Sequence, residues 1–172
     1  MTALLMAGTL SAATVAAAEP EVRHAEASFV DGSGSTIGFA RLTQDATGVL
    51  HVNVKVSGVA PGLHGIHIHA VGSCAAAFAA AGAHYNPEGG EHGLDNPNGP
   101  HAGDLPNLVV NGAGRGHLNA TTDRVTLTDG ASTLFDADGS AFVIHASPDD
   151  QVTNVGNGGS GARVACGVIS AS

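Results

Sequence analysis

Alternation of apolar and polar residues limits most strongly how this chain can fold. Residues 50, 52, 54 and 56 are Leu or Val, and the residues between them are polar, which is typical of a strand with one buried face. Similar short segments occur at 25–30, 37–43, 65–70, 105–110, 117–122, 141–146 and 162–169. Gly-containing turn signals separate them, and no segment keeps helical periodicity. The pattern predicts an all-β sandwich or barrel of roughly eight strands.

Two long segments interrupt the alternation. Residues 71–104 are rich in Gly, Pro, Asn and His, and residues 147–161 are rich in Gly, Asn and Asp. Loops of this length inside a compact domain are usually functional. We therefore expect the site of this protein to lie in these two loops and on the strand ends beside them.

The charge of the chain excludes some classes of partner. Its 172 residues carry a formal net charge of −9, with six Lys and Arg in total. Nucleic acids and anionic membranes both require clustered cations, so neither is expected to bind. A small anionic substrate is not excluded, because it responds to the local potential rather than to the net charge.

The first 18 residues resemble a secretory signal. Residues 3–18 are apolar or small, and three alanines precede Glu19, which fits the small-residue cleavage rule. The segment lacks the usual cation near its start, and a buried helix is the alternative interpretation. We expect residues 1–18 to be a signal peptide and 19–172 the mature domain, which would be periplasmic or secreted. No later apolar stretch is long enough for a membrane span.

The chain has two cysteines, Cys74 and Cys166. In an exported protein two cysteines most simply form one disulfide. Two buried free thiols are the alternative, and they would suit a cytosolic protein better. The cysteines and the N-terminal segment together favour export.

Histidines are placed where metal ligands would be. His67 and His69 alternate with isoleucines, so both rings project from the same face of a strand. His145 ends another apolar segment at the start of the second long loop. The first long loop adds further candidates, namely His84, His92, His101 and Asp104. Three imidazoles and a carboxylate suit zinc, and imidazoles alone also suit copper, so this set predicts a metal site rather than a solvated surface.

Several motifs in register resemble those of the copper,zinc superoxide dismutases. Residues 62–69 (GLHGIHIH) resemble the copper-binding signature, and residues 82–87 (GAHYNP) resemble the bridging-histidine segment. Residues 101–107 (HAGDLPN) resemble the end of the zinc loop, and residues 161–169 (GARVACGVI) resemble the second signature. The match runs from about residue 25 to residue 170. It implies an eight-stranded antiparallel Greek-key barrel and an enzyme that converts superoxide to oxygen and hydrogen peroxide by one-electron cycling of copper.

The resemblance also implies the roles of individual residues. Copper would be bound by His67, His69, His84 and His145, and zinc by His84, His92, His101 and Asp104. The ring of His84 would then bridge the two metals and take part in proton transfer. Asp149 would link a copper ligand to a zinc ligand, with Asp150 as the competing choice. His64 would be structural, and Arg163 would attract the superoxide anion beside the copper.

Some features depart from the family pattern or leave alternatives open. The segment from His145 to Arg163 is short and contains no lysine, so steering of substrate by loop lysines is not expected. The alanine-rich residues 75–81 have no functional explanation from the sequence. A metal carrier without turnover and a structural domain that has lost its metals are the rival hypotheses. A homodimer is one hypothesis for the quaternary structure.

Overall fold

The structure is a computed structural model that describes residues 23–155 and 157–172. The predicted signal peptide, residues 1–18, therefore lies outside the described residues. Among the residues that are described, no helix is both long and apolar enough to cross a membrane.

The described chain is built almost entirely from β-strands. In chain order they are β1 (Arg23–Asp31), β2 (Thr36–Gln44), β3 (Leu50–Ser57), β4 (Gly62–His64), β5 (Ile66–His69), β6 (Leu108–Val110), β7 (Arg115–Thr122), β8 (Ala141–His145), β9 (Arg163–Val168) and β10 (Ser170–Ala171). Two short 3-10 turns, Ala79–Ala81 and Asn157–Gly159, lie in the connecting loops. All pairs of named strands are antiparallel. The prediction of an all-β fold is confirmed.

The strands form a nearly closed barrel. Their order is β4-β6-β7-β3-β2-β1-β9-β8-β5, and β10 pairs with β1. The two ends of this order, β4 and β5, are consecutive in the chain and are separated by Gly65 alone, so one segment closes the sheet on itself. The chain crosses between non-neighbouring strands after β3, β5 and β7, which is a Greek-key connectivity.

The structure has ten strands rather than the predicted eight because two short strands, β4 and β10, lie outside the predicted segments; Gly65 separates β4 from β5. The Gly65 carbonyl accepts a hydrogen bond from the His145 amide, and the Gly65 amide donates to the Ser147 carbonyl. A Cβ atom at this position would lie 2.6 Å from the Cβ atom of Ser160. The barrel therefore needs glycine where the segment passes from one sheet edge to the other.

The barrel interior holds one large core that the alternation predicted. In β3 the side chains of Leu50, Val52, Val54 and Val56 are all buried, while His51 and Lys55 between them are exposed. Apolar side chains from the other strands and from the connecting loops complete this core. Its ring pair, Phe29 and Phe142, lies with ring centroids 5.9 Å apart.

A smaller apolar cluster surrounds the disulfide. Cys74 and Cys166 are bonded, with Cα atoms 5.6 Å apart and a sequence separation of 92, so the predicted disulfide is confirmed. In the chain-entropy model a bond that closes so long a loop stabilises the fold by about 4–5 kcal/mol. Buried neighbours include Phe78 and Val143. The disulfide and this cluster attach the start of the 70–107 loop to β9.

Candidate metal centre

Strands β5 and β8 are hydrogen-bonded neighbours that carry three of the candidate histidines. His67 and His69 alternate with isoleucines in β5, and the side chains of all four residues are fully buried. His145 is the last residue of β8 and is also fully buried. Because the backbone pairing of β5 with β8 is continuous, the barrel itself holds these three rings.

The 70–107 loop is fastened along the other edge of β5. The Tyr85 amide donates to the Ile68 carbonyl at 2.8 Å, and the Ile68 amide donates to the Gly103 carbonyl at 2.8 Å. A Cβ atom at Gly103 would lie 2.2 Å from that same Ile68 oxygen, so the close approach requires glycine. The fastened loop places His84 opposite His69 and Asp104 opposite His67.

Four imidazoles converge where the loop meets the strands. His67, His69, His84 and His145 each offer a ring nitrogen, and these atoms all lie within 4.8 Å of one another. Four buried ring nitrogens have no hydrogen-bond partner within the described part of the chain: Nδ1 of His67 and Nε2 of His69, His84 and His145. Buried polar atoms normally have a partner, and a metal ion held by four imidazoles would satisfy all of these nitrogens at once.

The second nitrogen of each of these rings is already engaged. Nε2 of His67 lies 2.6 Å from the Asp149 carboxylate, and Nδ1 of His84 lies 2.8 Å from that of Asp104. Nδ1 of His69 and Nδ1 of His145 donate to carbonyl oxygens, of Gly82 at 2.9 Å and of Gly161 at 3.0 Å. Partners of this kind fix the tautomer of a ligand ring, and here they leave the converging nitrogens with free lone pairs.

A second group of ligand atoms surrounds the carboxylate of Asp104. Oδ1 of Asp104 lies 2.8 Å from Nδ1 of His84, 3.0 Å from Nδ1 of His92 and 3.5 Å from Nδ1 of His101. The His84 and His101 Nδ1 atoms are 3.3 Å apart. Tetrahedral zinc ligands at 2.0–2.1 Å from the ion would be about 3.3 Å from one another. These separations fit the edges of such a tetrahedron, so the residues fit zinc.

The ring of His84 belongs to both groups. Its Nδ1 atom lies among the atoms around Asp104, and its Nε2 atom is one of the four unpartnered nitrogens. His67, His92 and Asp104 also offer atoms within 4.8 Å of His84. However, Nε2 of His67 is engaged by Asp149, so its remaining nitrogen belongs to the first group. The arrangement can therefore hold two ions on either side of one imidazole.

Asp149 connects the two groups from the second long loop. Its carboxylate lies 2.6 Å from Nε2 of His67 and 3.0 Å from Nε2 of His92. Asp149 is buried, and Asn107 binds its backbone at both the amide and the carbonyl. Asp150 is exposed, and its carboxylate accepts from backbone amides of its own turn. Of the two candidates, Asp149 is therefore the one that touches the histidines.

The strand-borne histidines are neutral at pH 7. Burial lowers the pKa of His67 to about 3, of His69 to about 2 and of His145 to about 4. A neutral imidazole has the lone pair that a metal ion requires. The burial that removes these rings from water also prepares them as ligands.

The loop side of the site has the opposite electrostatics. Burial opposes ionisation, yet hydrogen bonds from histidines hold the pKa of Asp104 and of Asp149 well below the usual range. Although burial lowers it, hydrogen bonds to these two carboxylates raise the pKa of His92 to about 9. The carboxylates thus create a strongly negative potential here, which suits a divalent cation.

Arg163 lies at the start of β9 beside the four converging histidines. Its guanidinium donates to the carbonyl oxygens of Phe78 and Gly82, each at 2.5 Å. The Gly82 oxygen also accepts from His69. The charge of Arg163 contributes to the low pKa values of His69 and His145, so this cation lies within electrostatic reach of the ring nitrogens.

The alanine-rich segment supplies one of these carbonyl groups. Ala76, Ala77 and Phe78 are consecutive residues with positive φ, at 52°, 49° and 70°. This left-handed turn buries the Phe78 side chain beside the disulfide and directs its carbonyl to Arg163. The sequence carried no signal for this role, because a backbone carbonyl can belong to any residue type.

Two further contacts concern residues outside the predicted ligand sets. Arg124 donates to the Asp104 carbonyl at 2.7 Å and so holds the backbone of the residue at the centre of the second group of ligand atoms. The sequence did not predict this role. His64 contacts the carbonyl oxygens of His145 at 2.7 Å and of Ala60 at 2.8 Å through its two ring nitrogens. It lies within the framework of the barrel.

Comparisons with known proteins point the same way. Residues 36–169 match the sequence pattern of the family described as copper/zinc superoxide dismutase. The chain is 38% identical over 168 residues to Cu-Zn superoxide dismutase 2 of Aquifex aeolicus, with 96% of each chain covered.

Solved structures of similar proteins have the same fold. A double mutant of a superoxide dismutase-like protein from Bacillus subtilis is 39% identical, with a TM-score of 0.79 over 83% of this chain and 95% of that one. The Cu/Zn superoxide dismutase of Brucella abortus is 27% identical, with a TM-score of 0.70 over 86% of this chain and 99% of that one. On its fold, its converging histidines and these matches, the chain belongs to the copper/zinc superoxide dismutase family.

Proposed function

We propose that this protein is a superoxide dismutase that binds copper and zinc and converts two superoxide anions and two protons to oxygen and hydrogen peroxide. The observation that carries the proposal is the set of four unpartnered ring nitrogens, one from each of His67, His69, His84 and His145. Membership of the family supports the choice of substrate.

We assign copper to these four histidines and zinc to His84, His92, His101 and Asp104. Copper supplies the one-electron chemistry that the reaction needs, whereas zinc does not change its oxidation state. Asp149 orients the rings of His67 and His92, one from each group. The two assignments follow from the donor sets: four imidazoles in one group, and three imidazoles with a carboxylate in the other.

His84 is proposed to move a proton at its Nε2 atom. Its Nδ1 atom stays among the ligand atoms around Asp104, so the ring remains in place while Nε2 gains or loses a proton. That atom is buried beside the other unpartnered nitrogens, so a proton held there would be available to substrate in the same site. Proton delivery of this kind is general acid catalysis.

Arg163 is proposed to bind the substrate anion. Two carbonyl groups and the disulfide-linked loop fix its position, and most of the other cations in the chain lie elsewhere. In an acidic protein, a fixed cation beside the copper ligands attracts the superoxide anion locally, although the net charge of the protein repels it. A surface ion pair is the alternative role, but no carboxylate pairs with Arg163 within the described residues.

One experiment separates the enzyme from a metal carrier. Superoxide turnover is measured per copper and zinc bound, before and after chelation, for the wild type and for Arg163→Gln. We expect chelation to abolish turnover and the substitution to lower kcat/KM by at least about tenfold at unchanged metal content. Unchanged turnover in the variant would favour a carrier, and failure of the purified protein to retain metal would favour a structural domain.

We also propose that residues 1–18 are a signal peptide, that 19–172 form the mature domain, and that the protein is periplasmic or secreted. The disulfide supports this, since such bonds persist in oxidising compartments. Mass spectrometry of the protein from its native host tests the cleavage site.

A homodimer is a further hypothesis, supported by the adjacent exposed side chains of Leu63 and Val109, and sedimentation of the purified protein tests it.

A further inference from the structure

We propose that the outer face of β2, β3 and β7 binds a linear acidic polysaccharide. The face is remote from the proposed metal ligands, none of which lies on these strands. It contains Arg41, Lys55 and Arg115, three of the six Lys and Arg of the chain. Two of the other three, Arg124 and Arg163, bind loop carbonyls at the metal centre.

The three cations form a straight line, which we call the cationic diagonal. Lys55 lies in the middle, on β3. Arg41 of β2 is opposite Asn53, which precedes Lys55 by two positions. Arg115 of β7 is opposite Ser57, which follows Lys55 by two positions. Diagonal neighbours of this type are about 7–8 Å apart. The diagonal therefore crosses three strands and spans roughly 15 Å. All three side chains are exposed on the same face.

The cations of the diagonal have no carboxylate partner, although the protein has 15 Asp and Glu. Within the described residues none of the three forms an ion pair, and even Glu26, the cross-strand neighbour of Arg41, makes no such contact. Arg41 instead lies over the Phe39 ring, with its Cζ atom 5.3 Å from the centroid. Their charges are consequently available to an anionic ligand.

The surroundings of the diagonal suit a sugar polymer. The Phe39 side chain is 39% exposed beside Lys55, and an exposed aromatic ring can pack against the apolar face of a sugar. The Asn53 amide donates to the Asn119 side-chain oxygen across β3 and β7, and the remaining amide atoms of this pair can bond to sugar hydroxyls. A shallow groove between Lys55, Arg115 and His117 continues the surface.

The spacing of the diagonal favours an acidic polysaccharide over a nucleic acid. A nucleic acid strand carries a charge about every 3.4 Å, roughly twice the density of the diagonal. An acidic polysaccharide has one anionic group for every one or two rings, which matches cations spread along a line. Export, proposed above, would also bring the protein into contact with such polymers.

Binding of fluorescein-labelled polygalacturonate and dextran sulfate, measured by anisotropy at several salt concentrations, tests the proposal on the full mature protein. We expect binding of one or both probes, and log affinity should fall with log[salt] at a slope of about −2, as expected from release of counterions by three cations. The two probes distinguish carboxylated from sulfated ligands. Binding of neither at low salt would overturn the proposal.

Matched variants locate the site. We expect Lys55→Gln to weaken binding by about threefold or more and the triple variant Arg41→Gln, Lys55→Gln, Arg115→Gln by at least about tenfold, with dismutase turnover unchanged in both. Arg23→Gln removes the same charge outside the diagonal and should change binding by less than about twofold. Equal losses from Arg23→Gln and Lys55→Gln, or tighter binding of a single-stranded oligonucleotide, would overturn the assignment. Circular dichroism confirms that each variant is folded.

Discussion

The two halves of the metal centre are built from different kinds of structure. His67, His69 and His145 lie on β5 and β8, where the continuous ladder of the barrel fixes them. His92, His101 and Asp104 lie on a long loop, which depends on a few backbone contacts and on the carboxylate of Asp104. The comparison teaches that the ladder of the barrel holds one set of ligands, whereas the other set is held by loop contacts and by hydrogen bonds to Asp104, so we expect a bound ion to stabilise the loop set more.

The largest test of this difference is removal of zinc. Without zinc, we expect hydrogen exchange of amides in the 70–107 loop to accelerate by at least about a hundredfold, because the loop opens without global unfolding. This corresponds to a decrease of about 2.7 kcal/mol in the free energy of local opening. Amides of β8 should change far less. Hydrogen-exchange mass spectrometry on the zinc-loaded and zinc-free protein measures both regions, and equal acceleration in both would contradict the comparison.

The substitution Asp149→Asn tests the connection between the halves. Asp149 contacts His67 on the strand side and His92 on the loop side, so its loss should weaken both copper and zinc binding by about 10–100-fold, as is typical of outer-shell partners. Competition with a chelator of known affinity gives the two constants.

The neighbouring residue provides a matched control. Asp150→Asn removes the same charge from an exposed side chain that contacts its own turn, and we expect both affinities to change by less than about twofold. If the two substitutions had equal effects, net charge rather than ring orientation would be responsible.

Arg124→Gln tests the loop half alone. The guanidinium holds the Asp104 backbone at 2.7 Å, so its removal should lower zinc affinity by about tenfold, the lower end of the range for outer-shell partners. Copper affinity should stay the same, because the strand ligands do not depend on this contact. Arg115→Gln, an exposed cation on β7, serves as the control, and a parallel loss of copper affinity would be evidence against independent halves.

The smallest test concerns the left-handed turn before Gly82. Ala77 is exposed and has φ of 49°, a conformation that costs an alanine more than a glycine. We expect Ala77→Gly to raise the free energy of unfolding by about 0.5–1 kcal/mol. Ala79→Gly, two residues later in a 3-10 turn, should lower it by a similar amount. Urea denaturation resolves the sign, and a decrease in both variants would mean that the turn is unstrained.

The same division explains what could be predicted from the sequence. Alternation in β3 gave both its strand assignment and its buried face, and the position of His67 and His69 between isoleucines indicated a shared face. Strand geometry has a fixed period, so such inferences need no tertiary information.

The loop side could be predicted only through family motifs. Nothing in the local pattern around His92 or Asp104 determines the path of a loop with more than thirty residues. The hydrogen bonds from Arg163 to the carbonyls of Phe78 and Gly82 could not be predicted from residue types, since every residue has a carbonyl. The strands β4 and β10 were missed because three and two residues are too few to show an alternating pattern.

The fastening of the loop along β5 has a consequence for how the protein meets other chains. β5 has a strand partner, β8, on one side, and on the other side its backbone bonds go to Tyr85 and Gly103 of the loop. If the loop lifts, the amide and carbonyl of Ile68 lose these partners, and this edge of β5 becomes a template to which a strand from another molecule can add. The loop residues that gather the metal ligands thus also cover a strand edge that would otherwise be exposed.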